Sequence, residues 1–240
     1  MNGQKIDWMS EQAHSQEIAM FNERSLCRLF RAITLSQGQF ALILARCNYE
    51  VCSQEMWQRL QALKEIPVRE LLLQESSQNL YGKILTAIEG KQTYALSVFG
   101  LDSVTAIDQV LVSTNQMREE FRKTFNFPLV LWVTDEVLHK LTRFAPDCKS
   151  WAATSIQFKL TTEELLRLWH QTTDELFATI LAKDVGEFLP NDALDLAPGC
   201  RRRQELESAL QDLSYAPLDV KPALFATWQF ILGRDAFSYN

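Results

Sequence analysis

The chain has 240 residues, 47% of them hydrophobic and 22% charged, with a formal net charge of −6 and a pI near 5.2. That length and apolar content can bury one large domain, or one domain with a helical appendage, and they exclude a chain left disordered for want of a core. The acidic balance argues against a general nucleic-acid binder, which needs a basic face to release phosphate counterions.

Residues 1–20 are polar and weakly patterned, a frayed N-terminal arm or a short helix, without the apolar h-region of a secretory signal. Over 21–35, Leu26, Leu29, Phe30, Ile33 and Leu35 fall near helical spacing and predict an amphipathic helix. A turn at Gly38 ends it. The continuous apolar run 40–45 suits a strand buried on both faces, as in a parallel sheet. A helix over 51–64, a strand over 68–73 after Pro67, a helix over 77–90 and a third strand over 94–99, halted by Gly100, follow in turn. A long helix is expected over 103–125, with Ile107, Val110, Leu111, Met117 and Phe121 near one face. Then come a fourth strand (128–133), a helix (136–144) and an alternating, edge-like fifth strand (155–160). Strands and helices in this alternation imply right-handed crossovers. The expected fold of 21–160 is therefore α/β: a three-layer parallel sheet of about five strands. Beyond 160 the texture changes. Thr161 and Glu164 have capping-box spacing ahead of a long amphipathic helix carrying Leu165, Leu166, Trp169, Leu176, Phe177 and Ile180. A turn-rich stretch (189–199) and helices over 201–214 and 219–232 complete a helical extension, 161–240. No internal repeat of fixed period is present.

Cys27, Cys47, Cys52, Cys148 and Cys200 form no CxxC pair, and His14, His139 and His170 have no metal spacing. They read as reduced thiols and structural imidazoles, so neither a metal nor a cofactor is expected. No apolar run approaches the roughly 20 residues that span a bilayer. A cytoplasmic protein without membrane partners is expected. Arg201, Arg202 and Arg203 are the one basic run; opening a helix, they read as a solvated face rather than a phosphate patch, and an accessory DNA-associated role would rest on them alone.

Ligands of open parallel sheets bind at the carboxyl ends of the strands. A phosphate loop there needs GxxxxGK[ST]: glycines for amide approach, lysine for the β- and γ-phosphates, a hydroxyl for magnesium. Residues 46–53 (RCNYEVCS) hold no glycine, no lysine and, before Ser53, no hydroxyl except that of Tyr49. Asp102, after the third strand, reads either as a magnesium-holding acid or as a first-turn acid of the next helix. Asp135, after the fourth, has the same two readings. A nucleotide crevice, if one operates, would use Arg46, Asn48, Asp102 and Asp135; no catalytic residue is assigned.

The segments SQGQFALILARCNY, STNQMREEFRKTFNFPLVLWVTDEVLHKL and APDCKSWAAT resemble the N-terminal P-loop-NTPase-like domain of cyanobacterial and other bacterial STAND-type regulators. The resemblance covers about residues 22–160. Its most specific piece runs from Asn115 through Trp132, N-x-x-R-E-x-F before a strand reading PLVLWV. It implies an ATPase-derived fold used as a switch or scaffold in signalling or conflict response, and in such regulators C-terminal tetratricopeptide or other helical repeats follow in a longer native chain. Asn115, Arg118 and Glu119 become interaction candidates, although adjacent charges on a helix also read as solvent-facing, with Glu119 and Lys123 a favourable i,i+4 pair. The two readings carried forward are a non-catalytic module for protein–protein assembly or signalling, through a partner or self-association, and an atypical nucleotide-binding or nucleotide-hydrolysing domain using the crevice acids.

Overall fold

The aliphatic run Ala41–Arg46 forms strand β1, with its four middle residues buried. β4 (Pro128–Val133) is buried at every position and β3 (Ala95–Phe99) at all but its last. Strands covered on both faces need no polar alternation, which is why these three read as unbroken apolar runs. With β2 (Val68–Leu72) and β5 (Ile156–Gln157) they make a five-stranded, wholly parallel sheet in the order β2-β3-β4-β1-β5. The computed structural model from which this comes describes residues 4–63, 67–90, 92–182, 188–214 and 221–238. The α/β class and the helical C-terminal portion expected from the sequence are both present.

Helix α1 (Gln4–Leu35) precedes β1, and α2 (Glu50–Ala62) joins β1 to β2. α3 (Leu80–Ile88) joins β2 to β3; a 3-10 turn (Leu101–Ser103), α4 (Ile107–Gln116) and α5 (Arg118–Thr124) join β3 to β4. α6 (Asp135–Phe144) and α7 (Pro146–Ser150) lead from β4 to β5.

The two sheet faces have different cores. On one, Leu44, Val98 and Leu131 pack with Ile84 of α3, Leu111 of α4 and Leu141 of α6. Ile84 and Val98 are wholly enclosed, and each such side chain contributes about 1.5–3 kcal/mol of burial. On the other face an aromatic slab crosses the strands. Trp57 of α2 meets Phe99 edge-on at 5.7 Å, Phe99 stacks on Trp132 at 5.3 Å, and Trp132 stacks on Phe158 at 5.5 Å. The Trp132 indole donates to Ser97 Oγ at 2.9 Å, so its polar edge is satisfied inside the slab.

Four local features differ from the sequence reading. Helix α1 begins at Gln4 rather than near Phe21, running through a stretch with little amphipathic signal. The long helix over 103–125 is interrupted at Met117 (φ −89°, ψ 8°), dividing α4 from α5. α7 was not foreseen, although Pro146 in its first turn is a helix-start signal. β5 has two residues, not six; after it Phe158 N still donates to Arg46 O at 2.9 Å, and the next residue, Lys159, turns its backbone groups outward to a side chain. Asn22 of α1 donates to Lys159 O at 2.8 Å and accepts from Lys159 N at 3.0 Å, mimicking a neighbouring strand.

The chain divides into two compact units, one comprising Ile18–Lys159 and the other Met1–Glu17 with Leu160–Asn240. In the second unit, α8 (Thr162–Leu181) starts with the expected capping box: Thr161 Oγ1 accepts from Glu164 N at 3.3 Å and Glu164 Oε2 accepts from Thr161 N at 2.7 Å. A 3-10 turn (Asn191–Leu194), α9 (Arg201–Ser214) and α10 (Lys221–Ser238) follow; residues 219 and 220, where the last helix was expected to begin, lie outside the described residues. Among the described residues no helix is long and apolar enough to cross a membrane.

Candidate functional site

β1 and β4 are neighbours, yet the helices that follow them leave in opposite directions. α2 packs its Trp57 on the aromatic slab, whereas Val137 and Leu141 of α6 join the aliphatic core on the other face. Adjacent strands whose connections diverge open a crevice at their carboxyl ends, where ligands of α/β sheets bind. Three of the four crevice candidates meet there. Arg46, the last residue of β1, forks onto Asp135 at the start of α6: Nε donates to Oδ1 and Nη2 donates to Oδ2 at 2.7 Å. Asn48 Nδ2 donates to the same Oδ2 at 3.1 Å, and Asn48 Oδ1 accepts from the Asp135 amide at 2.9 Å. Thr134 caps α6, its Oγ1 accepting from Val137 N at 3.2 Å, and so holds Asp135 in the first turn. Partial burial pushes the Asp135 carboxyl upward, but the hydrogen bonds from Arg46 and Asn48 and the Arg46 charge outweigh it and leave it below the ordinary carboxylate value. The fourth candidate, Asp102, lies in the 3-10 turn after β3, one strand farther along.

A phosphate loop would have to occupy the β1–α2 connection, and that connection is three residues long, from 47 to 49. It contains no glycine and no left-handed residue; among the described residues the positive φ values fall at Gly38, Gly90, Gly100, Asp195 and Gly199. Without such residues successive amides cannot turn inward to cradle an anion. The first turn of α2 carries Glu50, whose carboxylate accepts from Gln54 Nε2 at 2.7 Å, and Ser53 Oγ turns back to Glu50 O at 2.9 Å. The acid in that turn already complements the helix dipole.

The interaction candidates sit in a different junction. Asn115, near the end of α4, accepts from Cys148 N at 3.0 Å and donates to Asp147 Oδ2 at 3.2 Å, tying α4 to the first turn of α7. Arg118 Nη1 donates to Asn115 O at 3.1 Å and lies 3.8 Å from Asp147. Glu119 is exposed beside Arg118, and the expected Glu119–Lys123 pair is not formed; Lys123 instead pairs with Glu120 at 3.2 Å, one position closer along the helix. A cavity of about 620 Å³ opens at the opposite, amino-terminal edge of the sheet, lined by uncharged groups including Gln37, Tyr94, Thr124 and Asn126.

The arginine run belongs to the helical unit, and each member faces an acid. Arg201 lies 3.8 Å from Glu205, Arg202 pairs with Glu175, and Arg203, itself buried, meets Asp235 at 2.6 Å and Glu207 at 3.2 Å. Asn191 donates to Asp235 at 2.6 Å and accepts from the buried Arg234 at 3.1 Å. This buried polar cluster was not read from the sequence. Its members are scattered between 191 and 235; Arg203 was read as part of a solvated face, whereas it is buried because Asp235 and Glu207 pair with its guanidinium. Among the described residues no group of three or more His, Cys, Asp or Glu is placed to hold a metal.

No family model matches the sequence, and no curated protein matches it. Among solved structures the chain is similar to the ORC2 protein of Aeropyrum pernix in its ADP form, with 12% identity over 87% of this chain and 67% of that chain and a TM-score of 0.39. The likeness is one of general fold.

Proposed function

We propose that this chain is a non-catalytic, NTPase-derived module for protein–protein assembly or signalling, of the kind found in STAND-type regulators. The observation that carries this reading is the occupancy of the β1–β4 crevice by the chain's own groups. Arg46 and Asn48, which would meet a ligand's phosphates, are engaged by Asp135, and the three-residue β1–α2 connection leaves no amide cradle. Asp135 is likewise committed to Arg46 rather than free to hold magnesium, which weighs against the alternative of an atypical nucleotide hydrolase. For partners, the helical unit offers half-exposed aromatic rings: Phe177 of α8 lies 5.2 Å from Phe230 of α10, beside the exposed Leu181 at the end of α8. Such apolar groups suit contact with protein better than with solvent. Calorimetry of the purified chain with Mg²⁺–ATP tests the reading: no saturable binding is expected, and tight, magnesium-dependent binding would sink it.

A further inference from the structure

The ion pair across the β1–β4 crevice joins a guanidinium fork to a carboxylate at the point where neighbouring strands send their helices to opposite faces. An arginine fork suits a carboxylate and a phosphate alike, since both offer two oxygens in one plane. Asp135 Oδ2 receives Arg46 Nη2 at 2.7 Å and Asn48 Nδ2 at 3.1 Å, as one oxygen of a bound phosphate would. The amino termini of α2, 13 residues long, and α6, 10 residues long, begin beside it and add their positive ends. Other acids nearby have their own partners: Glu50 takes Gln54, and Glu136 takes Lys140 at 3.1 Å. Arg46 and Asn48 thus both donate to the carboxylate of Asp135.

We infer that Asp135 is the resident anion of a latent oxyanion site, so that phosphate-type oxyanions bind Arg46 and Asn48 once its carboxylate is removed and are shut out while it is present. This rests on the non-catalytic reading of the crevice and adds to it: beside the missing amide cradle, the side-chain donors that remain, Arg46 and Asn48, are closed in cis. The receptor survives loss of the carboxylate, because Asn48 Oδ1 accepts from the Asp135 backbone amide, which no side-chain substitution removes.

The test is a calorimetric titration of the full chain with inorganic pyrophosphate, for the intact protein, Asp135→Ala, Asp135→Asn, and Asp135→Ala combined with Arg46→Gln. Asp135→Asn keeps the volume of the side chain while removing its charge, and circular-dichroism melts identify which variants are folded. The intact protein is expected to show no saturable binding. The two single variants should bind at least about tenfold more tightly, and the double variant should lose the gain. Folded Asp135 variants that bind no better than the intact protein would overturn the inference while leaving the non-catalytic reading standing. So would a double variant that binds as well as Asp135→Ala. Pyrophosphate binding by the intact protein at this crevice, abolished by Arg46→Gln, would sink both.

Discussion

Gly100 and Gly38 offer a controlled measurement of what the end of β3 requires. Their backbones are nearly identical, with φ +80° and +78°. A Cβ at Gly38 would meet nothing within 4 Å, whereas at Gly100 it would lie 2.8 Å from the Leu73 carbonyl oxygen and 3.2 Å from Leu72 Cδ1. Left-handed backbone costs an alanine about 1–2 kcal/mol, so Gly38→Ala should lose about that much. Gly100→Ala adds a clash with backbone that cannot swing aside, because Leu73 N is held to Phe99 O at 3.0 Å in the last rung between β2 and β3. Forced overpacking costs about 1–3 kcal/mol, which brings Gly100→Ala to about 2–5 kcal/mol. Urea unfolding monitored by tryptophan fluorescence should place its midpoint below that of Gly38→Ala by roughly 0.3–3 M, for slopes of about 1–3 kcal/mol/M. Hydrogen exchange in β3 should rise in Gly100→Ala alone. Equal losses in the two variants would refute the close approach of Leu73.

Ser97→Ala should cost about 1–3 kcal/mol in chemical denaturation, because it strands the Trp132 indole N–H inside the aromatic slab; Ser97→Ala combined with Trp132→Phe should cost less than the sum of the single changes. The ionised form of Asp135 is favoured by folding, so its contribution is complete above the ordinary value of 3.8 and is lost as pH falls through the depressed folded value. Arg46 and Asp135 are both partly exposed, which limits that contribution to about 1 kcal/mol or less, and Asp135→Asn should flatten the acid limb of the stability curve by that amount. Burial pushes the Cys148 thiol up to about 11, so a thiol reagent at pH 8 should modify exposed Cys27 readily and reach Cys148 only on unfolding, as peptide mapping would show.

Much of the sheet was legible because doubly covered strands must be apolar throughout: the fourth strand, expected over 128–133, is Pro128–Val133. Features set by distant partners were not. The fifth strand was read as six residues and has two, and its outer edge is met by Asn22, 137 positions from Lys159. The break at Met117 leaves little trace in periodicity because the apolar residues Ile107, Val110, Leu111 and Phe121 continue across it, and the start of α1 at Gln4 lies in a polar stretch with no apolar stripe to announce it. At the crevice, the residue types after the first and fourth strands pointed to Arg46, Asn48 and Asp135. That they would grip one another was not readable, because the contact spans 89 positions and depends on β4 lying beside β1. The strand order that creates the contact is a property of the folded sheet and not of either segment.

The carboxamide of Asn22 gives the sheet an end-stop in the sense of polymer chemistry. A β-strand that receives a neighbour presents a fresh row of donors and acceptors on its far side and can pass the growth on. An asparagine side chain meets the amide and the carbonyl of Lys159 with one acceptor and one donor and, unlike a strand, carries no row of backbone groups behind it. Growth of the sheet past β5 is therefore terminated by a monofunctional unit carried on α1, and the chain spends a single residue on a task that other folds assign to an additional strand or a covering loop.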